Sequence, residues 1–143
     1  MLDNKDLGVQ IGNLNLNIHS KAHLCRAALE GIAFSFVYGM EILTADGINA
    51  RVIRAGNDNL FRSPIFSNTI ATLIEQEIEI YNTTGAIGAA RACQLHNGNY
   101  EALGKQIMDN DYVMSYAPSA QNKEYITAYK IWKNQLEINL KNN

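Results

Sequence analysis

The chain is poor in the residues that staple or punctuate a fold. Only two of its 143 residues are cysteine, Cys25 and Cys93, and only two are proline, Pro64 and Pro118. The cysteines stand far apart with no C-x-x-C pair, so a disulfide scaffold and a cysteine-based zinc site are unsupported. No linker, repeat or low-complexity run breaks the sequence, and the many asparagines are scattered. A surplus of one charge is also missing: twelve Lys and Arg against fourteen Asp and Glu leave a net charge of −2. A nucleic-acid binder of the electrostatic kind needs a clear basic excess, so that class is excluded. The most apolar stretch, residues 27–43, is interrupted by Glu30, Tyr38 and Glu41, which argues against a membrane span. Residues 1–8 carry acids and no apolar core, so no signal peptide is expected. What is present is 47% hydrophobic residues, a globular composition. The expectation is one soluble domain of a reducing, cytoplasmic compartment, with no nucleic-acid or membrane partner.

Residues 7–18 alternate apolar and polar through Leu7, Val9, Ile11, Leu14, Leu16 and Ile18, which predicts extended chain with a bend at Gly12-Asn13. Ser20 then caps a long helix over 21–46 with the stripe Cys25, Leu29, Ile32, Phe36, Met40 and Leu43. Ala28, Ala33 and Val37 widen that stripe, so the helix should be central and mostly buried. Gly47 falls where a left-handed cap belongs. A short strand over 51–55 is broken by Gly56-Asn57-Asp58-Asn59, and Ser63-Pro64 reads as N-cap and first helical residue. Ile65, Phe66, Thr69, Ile70, Leu73 and Ile74 keep the helical period. A second strand over 77–81 leads to a helix over 85–95 that opens after Thr83-Thr84 and ends at Asn97-Gly98.

The order helix, strand, helix, strand, helix defines an α/β chain with one parallel crossover. Parallel sheets normally have more than two strands and covered faces. Either a second copy or the remainder of a larger protein should complete this one. The tail predicts a short helix over 100–108, an extended piece over 112–116 and a helix over 122–140. That last helix carries the packing stripe Tyr125, Tyr129, Trp132, Leu136 and Leu140.

Two passages could hold chemistry. The first is Gly56-Asn57-Asp58-Asn59 through Ser63, which follows a strand where ligands bind in open α/β sheets. Glycine permits close backbone approach, and Asn57 and Asn59 suit a neutral base or ribose. The same residues are also ordinary turn formers, and the passage matches neither G-x-G-x-x-G nor the G-x-x-x-x-G-K-[ST] phosphate loop. The second is Thr84-Gly85-Ala86-Ile87-Gly88-Ala89-Ala90. Gly85 opens a helix whose free N–H groups could face an anion, and Gly88 suits close packing of helix on sheet. His19 and His23 are four apart with no third ligand, so no metal site is expected. Arg26 and Glu30 should form a partly buried structural ion pair. No Ser-His-Asp, Cys-His or paired-carboxylate set emerges from the spacing.

Residues 23–34, His-Leu-Cys-Arg-Ala-Ala-Leu-Glu-Gly-Ile-Ala-Phe, resemble the second-domain signature H-L-x-R-A-x-L-E-G-[IV]-A-F of the FGGY sugar kinases. Upstream, Asn13-Leu14 stands where that family usually has Gly-Leu, and Leu16 and His19 fit the intervening run. Residues 55–66 are similar to the family's Gly-rich adenine loop, with Gly56 alone where many members have three glycines. Residues 84–90 are similar to its G-A-x-G-A-A helix start. The resemblance covers residues 8–95 well and the tail weakly, and within the family it points to the xylulokinase branch.

The resemblance implies a partial ribonuclease-H-like, actin-type ATPase domain. Residues 8–95 would be its α/β core with the nucleotide loop, and 96–143 a helical extension. It further implies that ATP with Mg²⁺ is the phosphoryl donor and D-xylulose the acceptor. Gly56 and Asn57 would lie beside adenine or ribose, Asn59 and Ser63 would fix the loop, and Gly85 would sit nearer the phosphates. The sugar pocket and the aspartate base would belong to an absent first domain, so this chain alone should be inactive. Surfaces built to be covered would then drive it to homo-oligomerise.

Overall fold

The computed structural model describes residues 8–50, 52–93, 99–120 and 122–142. Helix α1 (Lys21–Ala45) begins after Ser20, whose N–H donates to Nδ1 of His23 at 3.1 Å. His19 Nδ1 likewise accepts the Asn15 N–H at 3.1 Å, so each histidine serves the local backbone. The far end closes as a Schellman turn. Gly47 N–H bonds Thr44 O at 3.0 Å, Ile48 N–H bonds Leu43 O at 2.9 Å, and Gly47 takes φ 83°.

Strand β1 (Ile53–Gly56) leads through a 3-10 turn (Asn59–Arg62) to α2 (Pro64–Ile74), which has Pro at its start. Then come β2 (Ile78–Tyr81), α3 (Gly85–Cys93), α4 (Tyr100–Asp111), β3 (Tyr112–Tyr116) and α5 (Asn122–Asn142). The sheet order is β1-β2-β3. β1 pairs parallel to β2 from Ile53↔Ile78 to Gly56↔Tyr81, and β3 pairs antiparallel to β2 with an irregularity at Ile80/Tyr81.

Helices α1, α2 and α5 cover one sheet face. Ile78 and Ile80 point into it with Phe66, Ile70 and Ala71 of α2, Ala33, Phe34 and Val37 of α1, and Tyr129 of α5. Alternation along the strands turns Arg54 and Glu79 to the other face, where both are partly exposed. Phe66 is fully buried, with its ring edge-on to Phe36 at 5.5 Å and to Phe61 at 5.2 Å. Phe34 meets Tyr129 at 5.7 Å and Trp132 at 5.9 Å, which gives the tail's aromatic stripe its packing role.

Four expectations are corrected. Among the described residues the alternating N-terminal stretch forms no strand: Ile18 and His19 turn back on Asn15 O, and Val9, Ile11, Leu16 and Ile18 are exposed. A period of two makes a strand only when a neighbour accepts its ladder, and among the described residues none pairs with it. The sheet has a third strand, β3, because the extended tail piece pairs with the free side of β2. Helix α1 is not mostly buried: only Ala33, Phe34 and Val37 are, while Ile32, Phe36, Ile42 and Leu43 are exposed. Finally, α4 runs on to Asp111 and hands directly into β3. Leu95, Asn97 and Gly98, the expected end of α3, lie outside the described residues, as does His96.

At 25 residues α1 is long and apolar enough to cross a membrane by length and composition alone. Here its buried face packs on α2 and α5, and Glu41 pairs with Lys133 of α5 at 2.6 Å. Arg26 and Glu30 form the expected helix pair at 2.7 Å, with Arg26 reaching Tyr125 OH at 3.4 Å. The core hangs on Phe66, so Phe66→Ala should cost about 3–5 kcal/mol. Urea denaturation should show a large fall in midpoint, and an unchanged midpoint would contradict the packing.

Candidate functional site

The parallel strands β1 and β2 end at the same side of the sheet, and the loops leaving them are bonded to each other. Asn57 N–H donates to Tyr81 O at 2.7 Å, one residue beyond the ladder, and Thr83 N–H returns to the same oxygen at 2.8 Å. Gly56 is where the loops touch, because a Cβ there would collide with the carbonyl oxygen of Thr83. That neighbour is backbone, so no rotamer change relieves the clash. Glycine at 56 is therefore a packing requirement between two loops, a reason that spacing alone did not reveal.

Asn57 is exposed at this junction, and its side-chain amide makes no hydrogen bond among the described residues. Asp58 turns the chain: its carboxylate accepts the Asn59 N–H at 2.7 Å and opens the 3-10 turn. Asn59 sits at φ 47°, a left-handed conformation that asparagine tolerates. Ser63 lies at the far end, where its N–H donates to Leu60 O at 2.9 Å and its carbonyl accepts Ser67 N–H at 3.0 Å. Its hydroxyl makes no cap bond, while the buried Ser67 hydroxyl reaches back to Phe61 O at 3.0 Å. Asp58 and Ser67 thus carry the side-chain bonds that shape the loop. Asp58 was legible as an Asx-turn former, whereas nothing in the sequence marked Ser67.

Gly85 begins α3 on the neighbouring loop. Thr84 closes the helix start, with its hydroxyl accepting Ile87 N–H at 3.2 Å and its carbonyl accepting Gly88 N–H at 2.9 Å. A Cβ at Gly85 or at Gly88 would meet nothing within 4 Å. Gly88 therefore does not pack against the sheet as expected: the small face of α3 is open. The structure brings Gly56, Asn57 and the 83–85 loop to one end of the sheet, with Asn59 just beyond and Ser63 a helical turn further on.

Beneath the loops, Glu79 Oε2 accepts from Tyr81 OH and from Arg54 Nε, each at 2.8 Å. The Tyr81 hydroxyl first, and Arg54 second, hold the Glu79 carboxyl below its ordinary range. The bond to Glu79, and then burial, push the Tyr81 phenol up. This network ties β1 to β2 across the register pair Arg54↔Glu79. Arg91 of α3 bonds Asp111 at the end of α4 at 2.6 Å, and Asp111 O accepts Asn82 N–H at 2.6 Å, which fixes the second loop from behind. Among the described residues no group of three His, Cys, Asp or Glu side chains is placed to hold a metal ion.

Comparison with known proteins assigns this architecture. No family model matches the chain, and no curated protein matches it in sequence. The fold is nonetheless that of part of a sugar kinase: a mixed α/β unit of five α-helices and a three-stranded sheet among the described residues. Among the solved structures it resembles is xylulose kinase from Rhodospirillum rubrum, with a TM-score of 0.68 at 19% identity over 88% of this chain. The chain spans about a quarter of that enzyme, 26% of its length. Its fold is that of a segment of a xylulokinase-like protein.

Two substitutions separate the glycines. Gly56→Ala should destabilise the chain by about 1–3 kcal/mol through the clash with Thr83, while Gly85→Ala, facing open space, should be neutral or slightly stabilising. Thermal melts of the two variants check this, and equal melting shifts would contradict the close approach. Because the folded Glu79 carboxyl is depressed, its contribution is present above its unfolded value and fades as pH falls through the folded one. Glu79→Gln should therefore flatten the acid side of a stability–pH profile, and an unaltered acid limb would show that the network carries none of it.

Proposed function

We propose that this chain is the nucleotide-side portion of the second lobe of an FGGY-type sugar kinase, with a ribonuclease-H-like, actin-type core. The parent enzyme would transfer the ATP γ-phosphoryl group to a sugar hydroxyl, D-xylulose being the acceptor, in the cytoplasm. The observation that carries this reading is the junction of Gly56 and Thr83 at the carboxyl ends of a parallel pair, in a chain with the fold of part of xylulose kinase. That end offers an exposed amide at Asn57, without a hydrogen bond among the described residues, for adenine or ribose. It also offers open space at Gly85 before the first turn of α3 for a phosphate oxygen. Asn59 and Ser63 extend the loop that would border the base.

When bound, Mg²⁺ would supply charge neutralisation between the phosphates; with no carboxylate cluster among the described residues, it would ride on them. This chain would hold the nucleotide, and the attacking hydroxyl and its base would come from the other lobe. A positioned general base contributes about 10²–10⁴-fold, so the chain alone is expected to be inactive.

A second reading, a stand-alone actin-like assembly module, is favoured by the exposed Ile32, Phe36, Ile42 and Leu43 on α1. It also draws on the outer side of β1, which is unpaired among the described residues and so offers an edge to another strand. Calorimetric titration with Mg·ATP tests the first reading. It expects weak, saturable binding that drops about fivefold or more in Asn57→Leu, the loss of one good hydrogen bond, with no xylulose phosphorylation by the isolated chain. Binding untouched by Asn57→Leu would overturn the assigned loop. Absence of binding in a chain that light scattering shows to be a discrete oligomer would favour assembly.

A further inference from the structure

Among the described residues, helix α3 is tied to the rest of the molecule at one side chain. Every one of its nine residues except Arg91 is exposed, and none is buried. A Cβ added at Gly85 or Gly88 would meet nothing within 4 Å, so no neighbour supports the helix along that flank. Helices shorter than about 12–15 residues are marginal in water when nothing packs on them, and an interior glycine such as Gly88 weakens this one further. Its order therefore depends on what holds its two ends.

One residue holds both. Asp111, the last residue of α4, accepts the Asn82 N–H at 2.6 Å through its backbone carbonyl, three residues before α3 begins. Its carboxylate Oδ2 accepts from Arg91 Nη1 at 2.6 Å, in the last turn of α3. Both side chains are sheltered, Asp111 at 17% exposure and Arg91 at 29%, so salt screens this pair less than a free surface pair. The position of Asp111 has a cost that the pair offsets. A carboxylate at the C-terminal end of α4 opposes that helix's dipole, whereas Arg91 at the C-terminal end of α3 complements its own. Residues 82–91 are thereby fastened at both ends to Asp111. The start of α3 is held beside the contact of Gly56 with Thr83.

We propose that Arg91 and Asp111 are positioning residues for the nucleotide, because their ion pair fixes the direction in which the start of α3 faces the carboxyl ends of β1 and β2. This rests on the nucleotide reading and adds to it a contribution from the far end of α3 and from α4. Because α3 buries no apolar face, breaking the pair releases the helix without opening the core. The loss falls on nucleotide affinity and not on global stability.

Hydrogen exchange resolved by residue and calorimetric titration with Mg·ATP, both on the full chain, test it. Asp111→Asn keeps the backbone carbonyl and removes the charge, Arg91→Gln removes the other charge, and Arg91→Lys keeps it. In the first two variants the Gly88 amide, bonded to Thr84 O, should exchange about fivefold or more faster, and Mg·ATP should bind about fivefold or more weakly. Protection of the β2 ladder and the melting midpoint should stay native, and Arg91→Lys should restore most of both losses. Unaltered exchange in α3 overturns the proposal, and so does native Mg·ATP affinity in a variant whose α3 has loosened. A melting midpoint that falls in step with affinity also overturns it, since the pair would then serve the fold. A native chain that binds no Mg·ATP overturns the nucleotide reading and the positioning role with it, an outcome separate from equal binding by native chain and variants.

Discussion

The carbonyl oxygen of Thr83 occupies the space that a side chain at residue 56 would need, and the arrangement of the loops at the carboxyl ends of β1 and β2 follows from that approach. Because position 56 is glycine, the loops after β1 and β2 come into contact, Asn57 N–H reaches Tyr81 O, and the start of α3 is held beside the turn at Asp58. The interlock is made by backbone atoms, which cannot yield as a side chain can. The Arg54–Glu79–Tyr81 network reinforces it one layer down, on partly exposed ground where ion pairs contribute little individually. The geometry therefore depends more on shape than on charge.

A parallel strand pair wants cover on both faces and neighbours on both edges. This chain supplies three helices on one face and one antiparallel neighbour, β3, on one edge. Among the described residues the outer side of β1 stays unpaired, Arg54 and Glu79 lie partly open on the face away from α1, α2 and α5, and α1 carries exposed Ile32 and Phe36 beside its buried Ala33 and Phe34. The chain has the fold of about a quarter of a xylulose kinase, 26% of its length. The alternating apolar residues at 9–18 have a pattern that suits a strand, but they form none and are exposed.

Much of this was legible in the residues. Ser20 and Gly47 marked the ends of α1 to within a residue, Ser63-Pro64 marked the start of α2, and the period of Phe66, Thr69 and Ile70 marked its buried face. These signals are local, and local chemistry sets them. What could not be read depends on partners distant in sequence. The third strand needed the free side of β2, the exposure of α1 needed a count of its neighbours, and the reason for Gly56 needed Thr83, twenty-seven residues later. The candidate site was half legible: Gly56, Asn57 and Gly85 were picked out by position after strands, and the structure brings the loops that carry them together. The carboxylate that shapes the longer loop belongs to Asp58, an evident turn former, and the hydroxyl to Ser67, which carried no distinguishing pattern.

Native-state hydrogen exchange resolved by residue tests the interlock most directly. The account predicts that the amides of Asn57 and Thr83, both bonded to Tyr81 O, exchange as slowly as the β2 ladder. Exchange of those two amides at the rate of a free peptide, with the ladder still protected, would contradict it.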